Sequence, residues 1–331
     1  MTDLLINYSS GKKTKAFLLA CLQVNIVDMS PTLRTKLAGL ETDNPLILAS
    51  GILGMTPSTI RRVASAGAGA VVTKSVGIKA RDGYANPSVY VIDSYGLINA
   101  MGLPNPGVNE FVKEFEGQNF NFPVIYSIFG SSPDEYSKVA KKLLALKPSA
   151  FEINLSCPHV KEVGSLIGQD PEMVYKVVNK VKKSVNVPVF AKITPNVTDV
   201  TSIAFSAVKA GADAIVAINT LKAMAIDIDA MAPILANKSG GLSGPAIKPV
   251  SIKMVYDLFE SINVPIVGVG GILSWKDAVE YLLAGASAVQ IGSAIVWKGL
   301  EVFEEILAGL RKYMIEKNFS CLDEIIGRGH K

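Results

Sequence analysis

The sequence predicts an α/β protein built as a (β/α)8, or TIM, barrel. Three observations point there. A short apolar run recurs eight times, a turn and a stretch of helical periodicity follow most of the runs, and polar or glycine residues close each one. Eight such units fill a chain of 331 residues. A doubly wound open sheet is the alternative, but no G-x-G-x-x-G motif opens the chain.

The runs span residues 46–51, 70–75, 123–129, 150–156, 189–194, 214–219, 265–271 and 288–293. They are rich in Val, Ile and Ala and nearly continuously apolar, as strands covered on both faces must be. Helical periodicity marks 56–66, 134–146, 171–185, 200–210, 249–262, 274–284 and 300–317. Ser132-Pro133-Asp134-Glu135 and Asp170-Pro171-Glu172 supply a capping side chain, a proline at the first helical position and an acid in the first turn. Gly67, Gly211 and Gly285 stand where helices end, as left-handed caps would.

Composition bounds the rest. With 49% hydrophobic and 19% charged residues, the chain suits one large globular domain or two small ones. A net charge of +4 spread over helix-like segments reads as a solvated surface rather than a nucleic-acid interface. Three scattered cysteines and two histidines offer no C-x-x-C pair and no metal-ligand spacing, so no metal site is expected, and a reducing cytoplasmic setting is. Residues 1–28 read as an N-terminal extension ahead of a single catalytic barrel domain at 29–331. Lys12, Lys13 and Lys15 precede an apolar run ending near Cys21, faintly like a secretion signal. That run is too short to span a membrane, and Met29 offers a second start. No other segment approaches membrane length, so neither a membrane nor a nucleic-acid partner is expected.

In such barrels the active site lies at the C-terminal strand ends. The residues there are Ser50, Lys74, Ser127, Asn154, Lys192, Asn219, Gly270-Gly271 and Gly292-Ser293. A scaffold without function has no reason to place two lysines and two asparagines there. Asn154-Leu155-Ser156-Cys157-Pro158-His159 follows the fourth run, and Pro158 stops strand pairing, so Cys157 sits where strand becomes loop. A thiol there can act on a bound molecule, or it can be a small buried hydrophobe.

Gly268-Val269-Gly270-Gly271 and Gly292-Ser293 expose backbone N–H groups after strands 7 and 8, the usual phosphate site of this fold. The stretch 240–245 could add amides to the same cradle. Asn154, Lys192, Asn219 and Thr220 make a polar arc broader than a phosphate needs. Flavin mononucleotide (FMN) at the C-terminal strand ends would use both parts, with Lys192 favouring negative charge on the reduced ring. Lys192 could instead pair with a carboxylate, or form a Schiff base as in barrel aldolases. A non-redox phosphate-binding aldolase or isomerase therefore stays open.

Several motifs resemble dihydroorotate dehydrogenase from about Leu33 to about Ile326. They are Asn-Leu-Ser-Cys-Pro at 154–158, Asn-Ala-Met-Gly-Leu-Pro-Asn at 99–105, Lys-Ile-Thr-Pro-Asn-Val-Thr-Asp at 192–199, Ile-Asn-Thr at 218–220 and the glycine-rich block at 233–249. The cysteine is similar to that of the soluble class 1 enzymes, and the 233–249 block to the 1B branch. The resemblance implies FMN-dependent oxidation of (S)-dihydroorotate to orotate in pyrimidine synthesis. Cys157 would be the base that takes the C5 proton while C6 gives hydride to flavin N5. Lys74 and the loop Asn99, Ala100, Met101, Gly102 and Leu103 would hold the substrate, with Asn154, Asn219 and Thr220 on the pyrimidine edge. Ser50, Lys74, Ser75, Ser127, Asn154, Lys192, Ile218, Gly244, Gly270, Gly271, Gly292 and Ser293 would contact FMN. An iron–sulfur electron-transfer subunit carrying FAD and a 2Fe–2S cluster would be the partner, on a homodimeric core of a heterotetramer.

Two positions depart from that pattern. His159 stands where the family usually has asparagine, and Ser-Cys-Pro-His is similar to the pyrimidine-reducing domain of dihydropyrimidine dehydrogenase, which makes a dihydrouracil-type reductase the alternative. Ser127 replaces an asparagine expected to contact flavin.

Overall fold

Eight parallel strands close into a barrel in chain order. They are β1 (Leu46–Leu48), β2 (Ala70–Val72), β3 (Val124–Ile128), β4 (Ala150–Asn154), β5 (Val189–Lys192), β6 (Ala214–Ala217), β7 (Ile266–Val269) and β8 (Ala288–Ile291). The computed structural model describes residues 31–156 and 167–331. The expected extension at 1–28, Met29, Cys157 and His159 lie outside the described residues.

Each expected run contains one strand, and each strand ends one to three residues before its run does. Ser50, Lys74, Asn219 and Ser293 lie beyond their strands and line the mouth, while Asn154 and Lys192 line it from the last ladder position. The surrounding helices are α1 (Pro57–Ser65), α2 (Val108–Phe115), α3 (Pro133–Leu143), α4 (Pro171–Lys182), α5 (Val200–Lys209), α6 (Lys248–Ser261), α7 (Trp275–Leu283), a short α8 (Ala294–Lys298) and α9 (Glu301–Lys317). Ser132 and Asp170 accept hydrogen bonds from first-turn N–H groups, as their spacing predicts. Gly67, Gly211 and Gly285 adopt φ of +103°, +102° and +109° just after their helices. The sequence reading missed α2. It starts at Gly107 with no side-chain cap, far along the chain from β2.

Strand parity sorts the core into two parts. Outward residues pack with the helices. Inward residues of the lower layers, including Ile47, Val72, Ile125, Phe190, Val216 and Val267, form a separate apolar cluster. The hairpin of Thr35–Leu37 and Leu40–Thr42 adds Leu37 and Leu40 to it and closes the N-terminal end of the barrel. One layer higher the same parity brings Glu152, Lys192 and Gln290 inward, and the lining turns polar.

Insertions after β2 and β6 build a four-stranded antiparallel sheet over the open end, ordered Leu221–Ala223, Gly240–Ser243, Gly96–Asn99, Val89–Ile92. This divides the stretch 240–245, because Ser243 and Gly244 line the cavity and Gly240 and Gly241 do not. Gly240 and Gly241 belong to an inner strand, where a Cβ would collide with Asn99 O and Thr220 Oγ1 respectively. Among the described residues, no helix is long and apolar enough to cross a membrane.

Leu37→Ala tests the closure of the barrel floor. Leu37 is fully buried, so truncation should cost about 2–5 kcal/mol. The expected readout is a lower urea midpoint with an unchanged slope, and a midpoint equal to that of the parent protein would contradict it.

Candidate active site

The C-terminal mouth opens on a cavity of about 400 Å³, lined by residues at the ends of every barrel strand except β3. Its floor is charged. Lys192 Nζ donates to Gln290 Oε1 at 2.8 Å, and Gln290 Nε2 donates to Glu152 Oε2 at 2.6 Å. Glu152 Oε1 lies 3.6 Å from Lys192 Nζ, too far for a hydrogen bond, and has no hydrogen-bond partner among the described residues. Glu152 is wholly buried and Lys192 only 5% exposed. Lys192 spends one of three donors on Gln290, which leaves the others for a molecule in the cavity.

One wall is a row of hydroxyls and amides. Ser127 and Ser75 share a 2.8 Å Oγ–Oγ bond, and Asn154 Nδ2 donates to Ser75 Oγ at 3.2 Å. Asn219 Nδ2 donates to Asn154 Oδ1 at 3.3 Å, and Asn219 Oδ1 accepts from Thr220 N at 2.8 Å. Tyr136 Oη, from α3, donates to Asn154 O at 2.7 Å and anchors the end of β4. The row is therefore fixed before any ligand arrives, which suits it to read the polar edge of a planar ring. Lys74 completes this side, and its partial burial holds the ammonium below the ordinary lysine range.

The opposite side is backbone. Gly244, Gly270 and Gly292 line it, with Gly244 and Gly270 at φ of +98° and +139°, where a side chain would be strained. A Cβ on Gly292 would touch only Ala49 Cβ, at 3.4 Å, so that position opens into the cavity. Tyr281 Oη donates to Gly270 O at 2.6 Å and Ser251 Oγ to Val269 O at 2.7 Å, which ties the end of β7 to α7 and α6. Over the mouth, Asn105 Oδ1 accepts from Gly77 N and Gly107 N, and its Nδ2 donates to Leu103 O. That pins the loop carrying Met101 and Leu103.

The cavity gathers Ser50, Lys74, Ser75, Asn99, Met101, Leu103, Asn154, Lys192, Ile218, Asn219, Thr220, Gly244, Gly270, Gly292 and Ser293, all expected from the sequence. Four expected residues do not line it. Ser127 is fully buried behind Ser75. Ala100 packs with Ile98 and Leu235, Gly102 lies against Tyr84, and Gly271 faces Gly244 O and the Lys248 stem. Cys157 is outside the described residues. Sequence reasoning missed Glu152 and Gln290. Their signal was present: each is a polar residue inside an apolar strand, and Glu152 shares the inward parity of Asn154.

Comparison with known proteins adds an independent line. A family model described as dihydroorotate dehydrogenase matches residues 32–314. A Pyrococcus furiosus protein named dihydroorotate dehydrogenase B (NAD(+)), catalytic subunit, is 56% identical over 300 residues, covering 91% of this chain and 99% of its own length. Proteins of the same name from Methanosarcina acetivorans and Methanocaldococcus jannaschii are 51% and 49% identical, covering 89% and 90% of this chain and 96% and 98% of their own.

Gly292→Ala separates folding from ligand binding. The added methyl meets little protein, so stability should stay within about 0.5 kcal/mol of the parent. Binding of a phosphate-bearing ligand, followed by calorimetry, should weaken at least tenfold. Unchanged affinity would remove Gly292 from the cradle.

Proposed function

We propose that this chain, which belongs to the dihydroorotate dehydrogenase family, oxidises (S)-dihydroorotate to orotate in pyrimidine synthesis. The observation that carries the reading is the pairing of Lys74 with the Ser75–Asn154–Asn219 row in one cavity: a cation for a carboxylate beside amides for a pyrimidine edge. The dihydrouracil-type alternative has no carboxylate for Lys74 to meet. The aldolase alternative would leave the amide row without a purpose.

FMN fits the residues present. The open position at Gly292, the positive-φ glycines at 244 and 270 and Ser293 would take its phosphate, while Lys192 would meet the ring, with Ser50, Ser75 and Ile218 beside it. When bound, the flavin would accept the electron pair that leaves the dihydropyrimidine. The protein does the remaining work. Asn154, Asn219 and Thr220 orient the substrate ring, Lys74 holds its carboxylate, and the sheet over the mouth limits access of water. Cys157 takes the C5 proton as thiolate. A thiol of ordinary pKa, about 8.5, is mostly protonated at neutral pH, so the chemical step accelerates as pH rises.

The names of the relatives support a catalytic subunit that passes electrons to a partner. We assign that partner as an iron–sulfur flavoprotein carrying FAD and a 2Fe–2S cluster, bound to a homodimeric core in a heterotetramer in the cytoplasm. Residues 29–331 act as one catalytic unit.

Anaerobic mixing tests the reading. Dihydroorotate should bleach the bound flavin and dihydrouracil should not. Cys157→Ser should slow the bleaching by about 10²–10⁴-fold, the usual contribution of a general base. A colourless protein, or bleaching by dihydrouracil alone, would overturn the assignment.

Lys74 supplies a pH test. Its ammonium binds the substrate anion only while protonated, and burial lowers the pH at which the proton is lost. KM for dihydroorotate should therefore climb with pH earlier than an ordinary lysine would allow. Lys74→Met should raise KM about 10–100-fold at neutral pH, as loss of a charged hydrogen bond does, and abolish that alkaline climb. A variant that keeps the climb would clear Lys74 of the role.

A further inference from the structure

Glu152 has no part in the chemistry described so far, yet among the described residues it is the one carboxylate lining the cavity. The other charged side chains described there are Lys74 and Lys192, and the polar neighbours Gln290 and Asn154 of Lys192 are neutral. An ammonium buried to 5% exposure loses most of its hydration, and desolvation alone drives lysine toward the neutral amine. What opposes this is the Glu152 carboxylate, 3.6 Å from Nζ and joined to it through Gln290.

The geometry points to Glu152 as a positioning residue that acts through Gln290 to hold Lys192 as an ammonium aimed from the cavity floor into the cavity. Gln290 is suited to the relay because its amide accepts from the ammonium on one side and donates to the carboxylate on the other. The second carboxylate oxygen stays unbonded at 3.6 Å, so its attraction for Lys192 is Coulombic and does not use up a donor needed by a ligand. The arrangement fixes the charge of the floor in advance of ligand binding. In the flavin reading, on which this part rests, that charge favours the reduced, anionic ring.

The test starts on flavin-free protein, so that failure of the flavin reading leaves it interpretable. Reductive methylation with formaldehyde and cyanoborohydride across a pH series, read by peptide mass spectrometry, reports the protonation of Lys192, with exposed Lys141 as the internal reference. Glu152→Gln keeps the shape and removes the charge. The pH at which Lys192 becomes reactive should fall by at least one unit, a tenfold loss of proton affinity, while Lys141 does not move. With FMN bound, the same variant at a pH above the new midpoint should favour the reduced flavin at least tenfold less, about 30 mV for a two-electron couple. Should Glu152→Gln fail to fold, the double variant Glu152→Gln/Lys192→Met, which removes both charges, should restore folding. A Lys192 profile that superimposes on the parent's, or an unfolded single variant that the double variant does not rescue, would overturn the proposal.

Discussion

The structure depends on holding one cation and one carboxylate inside the barrel. Removing either ion from water costs several kcal/mol, and breaking a buried pair typically costs about 3–5 kcal/mol because the survivor is left uncompensated. Glu152 on β4, Lys192 on β5 and Gln290 on β8 must therefore meet, although β8 lies across the barrel from the other two. Closure of the barrel makes that possible. Strand register pairs Asn154 with Lys192, so the charged groups adjoin the amide row.

Below this layer the inward side chains form an apolar cluster, from Phe190 and Ile47 down to Leu37 in the closing hairpin. Above it Ser75, Asn154 and Asn219 present hydroxyl and amide groups to the cavity, beside apolar lining such as Leu103 and Ile218. The change occurs over one inward-facing position per strand, from Ala150 to Glu152, Phe190 to Lys192 and Ala288 to Gln290. The lower cluster gives the rigidity, and the outer helices secure individual site atoms. Tyr136 holds the carbonyl of Asn154, and Tyr281 that of Gly270. Preorganised donors of this kind stabilise developing charge without having to reorient during the reaction.

Much of this was legible in the sequence, for local reasons. Alternating apolar runs and caps such as Ser132 and Asp170 depend on neighbouring residues, and all eight strands follow from them. Residues at strand ends were legible because the fold sends those ends to one mouth, which accounts for Lys74, Asn154, Lys192 and Asn219. What escaped depends on distant contacts. The roles of Gly240 and Gly241 come from pairing with Ala223, Lys222 and Asn99, and helix α2 lacks a side-chain cap. Ser127 ends its strand like the others, yet its hydroxyl is taken by Ser75. Glu152 and Gln290 are 138 positions apart in the chain, so their bond was not readable from spacing.

A high-resolution crystal structure of the FMN-loaded protein measures the central claim most directly. The account predicts Lys192 Nζ within hydrogen-bond distance of both the flavin ring and Gln290, with Gln290 still bonded to Glu152 and the phosphate against Gly292. A Lys192 turned away from the ring, or a Glu152 detached from Gln290 while flavin is bound, would contradict it.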